Sequence, residues 1–283
     1  MGYLPGYTIK PQLVTEGGVV IFTDGTNSGI TPNQIQCEAY GYTYDKTTGT
    51  CRSFTYSTAL ARSVKNVNNK FNGVKNTTEL GTNIIQINGT NNTTKGFNTN
   101  CFINGNSNTI ANSVNNATVV GTLAEATATN ALVIGGNSEG DALGARQNIT
   151  LMFGVQTTNN VVTNATLSNV KVAPFYFEIP LNSIITFQTE TVAVRVGGSG
   201  AGSVGDFKAF IETGAAVCNS AGAITLDKSR TTIANTGTTT GWTSDIVVSG
   251  TSFVQQVKGA NNRTIEWATT MRITQLKAGV TIP

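Results

Sequence analysis

Five glycines constrain this chain more than any other feature. Gly73, Gly89, Gly105, Gly121 and Gly135 fall 16, 16, 16 and 14 residues apart. Each closes a similar tripeptide: Phe71-Asn72-Gly73, Ile87-Asn88-Gly89, Ile103-Asn104-Gly105, Val119-Val120-Gly121 and Val133-Ile134-Gly135. Small or apolar residues recur two places further upstream, pairing Ile85 with Ile87, Cys101 with Ile103, Ala117 with Val119 and Ala131 with Val133. Alternation with period two puts each pair on one face of a short strand. The glycine that follows admits turn conformations that other residues resist. Units this short cannot hold a helix pair or a propeller blade, but they suit one coil of a β-solenoid. Stacking would line up the inward residues and let the Asn- and Thr-rich stretches between them form hydrogen-bonded ladders.

The arithmetic of such a stack points beyond one chain. Each coil supplies two or three inward apolar groups, at about 1.5–3 kcal/mol apiece. Ordering the backbone costs about 1–2 kcal/mol per residue, so a lone slender stack is barely stable. Three stacks sharing a core would do better. Val120, Leu132 and Ile134 lie on the opposite strand face, as expected if that face is buried as well. The repeat therefore leads us to expect a homotrimer.

Composition agrees with β-structure. Only 12% of the residues are charged, 39% are hydrophobic and His is absent. Too few Lys, Glu and Leu are present to build surface helices. The net charge of +3 arises from 18 basic and 15 acidic residues scattered along the chain. With no basic run, a nucleic-acid partner is not expected. No apolar stretch approaches the ~20 residues that span a bilayer, so membrane insertion is not expected either.

Around the repeat the chain divides into four parts. Residues 1–54 read as an irregular leader punctuated by Gly and Pro. Within it, Tyr40, Tyr42 and Tyr44 alternate before the turn signal 45–49. Residues 55–72 read as a helical collar. Tyr56, Leu60, Val64, Val67 and Phe71 are spaced 4, 4, 3 and 4, a stripe close to a heptad seam that would set three chains in register. Residues 73–154 form the expected β-roll shaft. Residues 155–283 read as an antiparallel β-sandwich tip with Gly/Ser/Thr-rich turns. From residue 150 onward the strand candidates are 150–155, 174–179, 183–196, 206–212, 244–248 and 264–276. In the third of these, Ile185 and Phe187 share one parity while Val192, Val194 and Val196 share the other, so a bulge or corner near Glu190-Thr191 is expected. In the last, Ile265, Trp267, Met271 and Ile273 share a face.

The units Asn116-Ala117-Thr118-Val119-Val120-Gly121 and Asn130-Ala131-Leu132-Val133-Ile134-Gly135 resemble the 14-residue head repeats of YadA-like trimeric adhesins. That resemblance implies a left-handed parallel β-roll packed as three chains. The stretch Arg263 to Thr274 resembles the final strand of C-terminal domains on phage tail fibres and spikes, and the segment Cys37 to Tyr44 is similar to leaders of phage structural proteins. Their order implies a virion fibre. Residues 1–54 would then join other virion proteins, and the tip would bind a host surface glycan or protein. A head fibre or capsid decoration protein is the alternative attachment. The opening Met1-Gly2-Tyr3-Leu4-Pro5 lacks the basic region and apolar core of a signal peptide. Release by lysis is expected, which disfavours a secreted adhesin.

Few residues suggest chemistry. Gly200-Ala201-Gly202-Ser203-Val204-Gly205 satisfies G-x-G-x-x-G, but 206–211 read as a strand. The helix N-terminus that a pyrophosphate requires is missing, so a hairpin loop is expected. Without His, nucleophilic triads lose their usual base. Glu139 and Asp141 could form the carboxylate pair of a polysaccharide-degrading spike, although two acids in a Gly-rich loop also suit a turn. No catalytic residue is assigned and no cofactor is expected. Asp24-Gly25-Thr26-Asn27 could bind calcium or form an Asx turn. The four cysteines, Cys37, Cys51, Cys101 and Cys218, lack zinc-site spacing, so no metal is expected; whether Cys37 and Cys51 bridge is left open. Trp242, in an expected loop, is the best ligand-contact candidate because an indole offers a sugar a flat apolar face.

Overall fold

The computed structural model describes residues 2–15, 18–53, 69–79, 81–167 and 176–283. The chain separates into two compact units, residues 1–67 and 68–283.

The first unit is folded where an irregular leader was expected. Strands β1 (Lys10–Val14), β2 (Val20–Thr23) and β3 (Ser28–Ile30) form an antiparallel sheet. The short helix α1 (Gln34–Ala39) starts on a reciprocal cap, in which Asn33 accepts from the Gln36 N–H and Gln36 accepts from the Asn33 N–H. The hairpin β4 (Thr43–Asp45) and β5 (Thr50–Arg52) follows. A Cys37–Cys51 disulfide joins the helix to the hairpin. Ile9, Val20, Phe22 and the two half-cystines form the small core. Tyr40 packs edge-on against Phe22 and donates its hydroxyl to the Ile9 carbonyl at 2.6 Å.

The second unit opens with a parallel β-solenoid. Successive coils carry β6 (Lys70–Asn72) and β7 (Thr77–Thr78), β8 (Asn83–Thr90) and β9 (Thr93–Thr94), β10 (Thr99–Asn106) and β11 (Thr109–Ile110), then β12 (Thr118–Thr122) and β13 (Glu125–Ala126). The strand β14 (Leu132–Gly136) completes the main column. Parallel pairing places Gly89, Gly105, Gly121 and Gly135 in register. Inside the stack lie two apolar columns, Ile85–Cys101–Ala117–Ala131 and Ile87–Ile103–Val119–Val133, all buried. Between them and the second strand column runs an asparagine ladder. The Asn76 carbonyl oxygen accepts from the backbone and side-chain N–H groups of Asn92, and Asn92 does the same for Asn108, at 3.0–3.1 Å.

The repeat glycines are required by close approach as well as by conformation. Gly73, Gly89, Gly105 and Gly121 have φ between 104° and 139°. A Cβ on any of them would collide with the carbonyl oxygen of the next glycine in the column. The shorter fourth unit loses its two residues at one corner. Thr94 to Asn98 and Ile110 to Val114 are each four residues apart, whereas Ala126 and Ala128 are two apart. The turn omitted there is the one that places Phe97 and Ser113 at positive φ.

Phe71 corrects the collar boundary. It lies in β6, pairs in register with Ile87 and is exposed, so the helical stripe does not extend to it. Leu60, Val64 and Val67 lie outside the described residues.

The shaft sheet continues into the C-terminal half. The strand β15 (Arg146–Thr157) turns back antiparallel on β14, so the expected boundary at 154/155 cuts through a strand. After β16 (Val162–Asn164) and β17 (Phe177–Glu178) come the long strands β18 (Ser183–Gly197), β19 (Phe207–Cys218) and β20 (Ile224–Asn235). Then follow β21 (Thr243–Ser249), β22 (Ser252–Lys258) and β23 (Thr264–Lys277). One ten-stranded sheet runs β20-β19-β18-β23-β15-β14-β12-β10-β8-β6. Over its inner face packs a smaller sheet of β16, β17, β21 and β22, with Phe253 meeting Phe187 edge-on at 5.1 Å. A single apolar core extends from Ile85 in the shaft to Ile273.

The expected bulge at Glu190-Thr191 is absent, since β18 pairs without a break on both sides there. Its inner face simply changes character, from Ile185 and Phe187 to Thr189, Thr191 and Ala193, all buried. The Thr191 hydroxyl lies 2.9 Å from both the Thr269 and Ser244 hydroxyls. Val192 and Val196 consequently face outward and are exposed.

Candidate functional site

Antiparallel pairing of β15, β18, β19, β20, β21, β22 and β23 gathers four connections at one end: residues 158–161, 198–206, 236–242 and 259–263. They are cross-linked. Gly200 donates to the Asn262 carbonyl at 2.7 Å, Asn160 donates to the Asn261 side chain at 3.1 Å, and Arg263 donates to the Thr238 carbonyl. Val161 and Val204 are exposed on this surface among Asn, Ser and Thr. Apolar groups beside amides and hydroxyls suit a ligand with both apolar and hydroxylated faces.

The G-x-G-x-x-G segment is a hairpin loop wound around a cation. Arg195, only 3% exposed, donates to the carbonyls of Gly197, Gly198, Gly200 and Ala201 at 2.7–3.0 Å. The amides of Gly200 and Gly205 are spent on the Asn262 and Arg195 carbonyls. A phosphate cradle points free N–H groups at its anion; this loop points carbonyls at a guanidinium. Asp206 closes the loop by accepting from the Ser203 N–H at 2.9 Å.

Trp242 corrects the ligand-contact expectation. It is fully buried at the base of these loops, 6.1 Å from Trp267 and clustered with Ala193, Phe210 and Val257. No indole face is left for a sugar. The sequence reading missed the loop valines because an isolated Val beside Gly carries no signal of its own.

Glu139 and Asp141 line a cleft of about 390 Å³ at a solenoid corner, facing Thr90, Asn106 and Thr122. Asp141 accepts from the Ser138 N–H at 2.7 Å and from Arg146. Those two contacts, the backbone bond first, hold its carboxyl below the usual range. A general acid in a glycosidase needs the opposite shift. Asp141 is thus unsuited to the general-acid role, and its hydrogen bonds close its own turn, while Glu139 is exposed.

Burial pushes up the pKa of Glu212, which sits between the two layers. It accepts from the Ile246 N–H at 3.0 Å, and Lys228 Nζ lies 3.0 Å from its other oxygen. Lys228 also reaches Asp245 at 2.6 Å. Enclosed, with one oxygen hydrogen-bonded to the Ile246 N–H and the other held only by the Lys228 ion pair, this group links the layers.

The remaining motifs are structural. Asp24 accepts from the Thr26 and Asn27 N–H groups at 2.8 and 2.6 Å, an Asx turn. Cys37 and Cys51 are bonded to each other, and Cys101 and Cys218 are buried free thiols. Among the described residues no cluster of His, Cys, Asp or Glu could hold a metal.

Fold and surface together define a class: a β-solenoid merging into an antiparallel β domain with a loop-built end. The chain matches no protein-family model and no curated protein. Among solved structures it is similar to the tailspike protein of Acinetobacter baumannii phage AM24, at 11% identity and a TM-score of 0.29, over 64% of this chain and 34% of that one. It is also similar to tailspike gp49 of the A. baumannii bacteriophage Fri1, a capsular polysaccharide depolymerase, at 10% identity and 0.27, over 73% and 38%. The tailspike of Acinetobacter phage vB_ApiP_P1 follows at 9% and 0.22, over 70% and 47%. The chain spans between a third and a half of those chains. At these scores the likeness carries no argument about function.

Proposed function

We propose that this chain is one subunit of a trimeric bacteriophage tail fibre or spike that attaches to the host surface through its loop-built end. One observation carries this reading. A parallel solenoid runs without a break, in one sheet and one core, into a domain whose connections gather at one end. Such a body couples a rigid shaft to a loop surface built at its strand ends. Three copies would present three weak sites to repeated surface glycans or proteins, raising affinity by avidity without new contacts. In this reading residues 1–54 form the unit that meets other virion proteins. Attachment to the head instead of the tail would use the same parts.

The test is the native mass of the recombinant chain by light scattering, with unboiled and boiled denaturing gels alongside. A mass near three chains that resists detergent until heated supports the reading and leads to binding assays on bacterial cells. A folded species of one chain overturns it.

A second reading, a polysaccharide-degrading spike, is favoured by the corner cleft that holds Glu139. It expects oligosaccharide release from capsulated cells, abolished by Glu139→Gln. If cleavage is observed and survives both Glu139→Gln and Asp141→Asn, the corner cleft is not its site.

A further inference from the structure

The ten-stranded sheet has one covered face and one open face, and the open face is unusual. Its inner side carries the continuous core and the smaller sheet. Antiparallel sheets with one wet face ordinarily alternate apolar inward with polar outward. Here Leu132, Ile134, Met152, Ile184, Val192 and Leu276 all point outward from β14, β15, β18 and β23, and each is 41–60% exposed. Ile184 and Leu276 are direct cross-strand partners. Between these residues lie mainly threonines and other short side chains, including Thr150, Thr186, Thr270 and Thr274.

The charges of this face are already balanced. Across β14, β15, β23, β18 and β19 it carries Arg146, Glu190, Glu266 and Arg272, two of each sign. Arg272 pairs with Glu190 at 3.1 Å, Arg146 pairs with Asp141, and Glu266 accepts from Gln156. On a face with no net charge, where Arg272–Glu190 and Arg146–Asp141 pair within the chain, a second copy has only Glu266, held by the neutral Gln156 amide, left to cover. Its extent is adequate too. Its four strands, about 4.8 Å apart and averaging about 12 residues, span on the order of 800 Å², comparable with the roughly 800 Å² per partner of a stable interface.

We infer that the outer face of this sheet, from β14 across β15 and β23 to β18, is the surface on which copies of this chain pack against one another. The inference rests on the trimeric reading and adds which surface closes the assembly. It also accounts for the valines of β18, which face outward because that side is a second core. The shaft sequence shows the same trend, with Val120, Leu132 and Ile134 on this face.

The test compares the full chain with the double variant Ile134→Asp/Val192→Asp and the loop variant Val204→Asp, by light scattering and far-ultraviolet circular dichroism. The expected result is a three-chain wild type, a loop variant of the same mass, and a double variant with unchanged dichroism whose mass falls about threefold. If the double variant keeps the wild-type mass, this face is not the interface, although the assembly stands. If the wild type is a single chain, the trimeric reading itself fails. Should the double variant lose its β-signature, thiol labelling of Thr186→Cys decides, with Val204→Cys as the exposed control. Slow labelling at position 186 in the assembly supports the inference. Labelling as fast as at position 204, or protection at 186 in a one-chain species, overturns it.

Discussion

Single residues here carry constraints of two kinds, steric and electrostatic. Gly105 combines a φ of 139° with a Cβ direction blocked by the Gly121 carbonyl. Gly105→Ala should therefore destabilise by about 2–4 kcal/mol, read as a lower denaturation midpoint, whereas the exposed Gly136, with open space around it, should accept Ala almost silently. Glu212 supplies the electrostatic case. Burial raises its folded pKa above the ordinary value near 4.5, so the native state holds the proton more tightly than the unfolded chain. Its contribution to stability is then full below the ordinary carboxylate range and is lost as pH rises from there through the folded pKa. Glu212→Gln keeps an acceptor for the Ile246 N–H, and Asp245 still engages Lys228. The variant should lack that decline when unfolding is followed from pH 4 to 8. At this scale legibility depends on neighbours. Ile85, Ile87, Ile103 and Val119 announce their inward direction through alternation alone. Trp242 could not, because its burial is imposed by Trp267, Phe210 and Val257 from three distant strands.

Elements in this protein are stabilised by what recurs alongside them. The ladder Asn76–Asn92–Asn108 satisfies the buried corner of each coil, ending where the Asn108 carbonyl oxygen accepts from the Ala124 N–H at 2.9 Å. Asn108→Ala would leave that N–H and the Gly121 carbonyl unpaired in a closed corner, at a cost of about 2–3 kcal/mol. Asn104→Ala, on the exposed side of the same coil, should stay within about 0.5 kcal/mol. Comparing the thermal midpoints of the two variants checks the ladder. The coil length, the strand position and the inward pair were legible as a repeat. Strands β20 and β22 were not, because one is exposed along most of its length and the other is buried on both faces. β20 alternates only over its first half, where its inward positions are half-buried, β22 does not alternate, and alternation is the primary signal a single strand sends.

At the scale of the molecule, two units depend on different forces. Among its described residues the first has five buried core residues and a disulfide closing a loop of 14 positions. A core that small needs a covalent staple, and a loop of that length contributes about 3 kcal/mol. The second unit holds only free thiols, both buried. Dithiothreitol should therefore make residues 1–53 open to protease while 69–283 stay resistant, and Cys37→Ser/Cys51→Ser should behave alike without reductant. Equal protection of both regions under reduction would show that the staple is dispensable.

What the sequence determined by itself is everything that repeats or alternates: the β-solenoid, its inward columns, the need for glycine at each turn, and the β character of the C-terminal half. Those properties are local, set by strand periodicity and by the φ that each turn demands. Only the tertiary structure decided the rest. It merged shaft and C-terminal strands into one sheet, placed Phe71 in a strand, buried Trp242, wound a glycine-rich loop around Arg195 and turned the valines of β18 outward. Each of these depends on which distant segment lies alongside, and pairing between distant strands leaves no trace in the order of residues along either one.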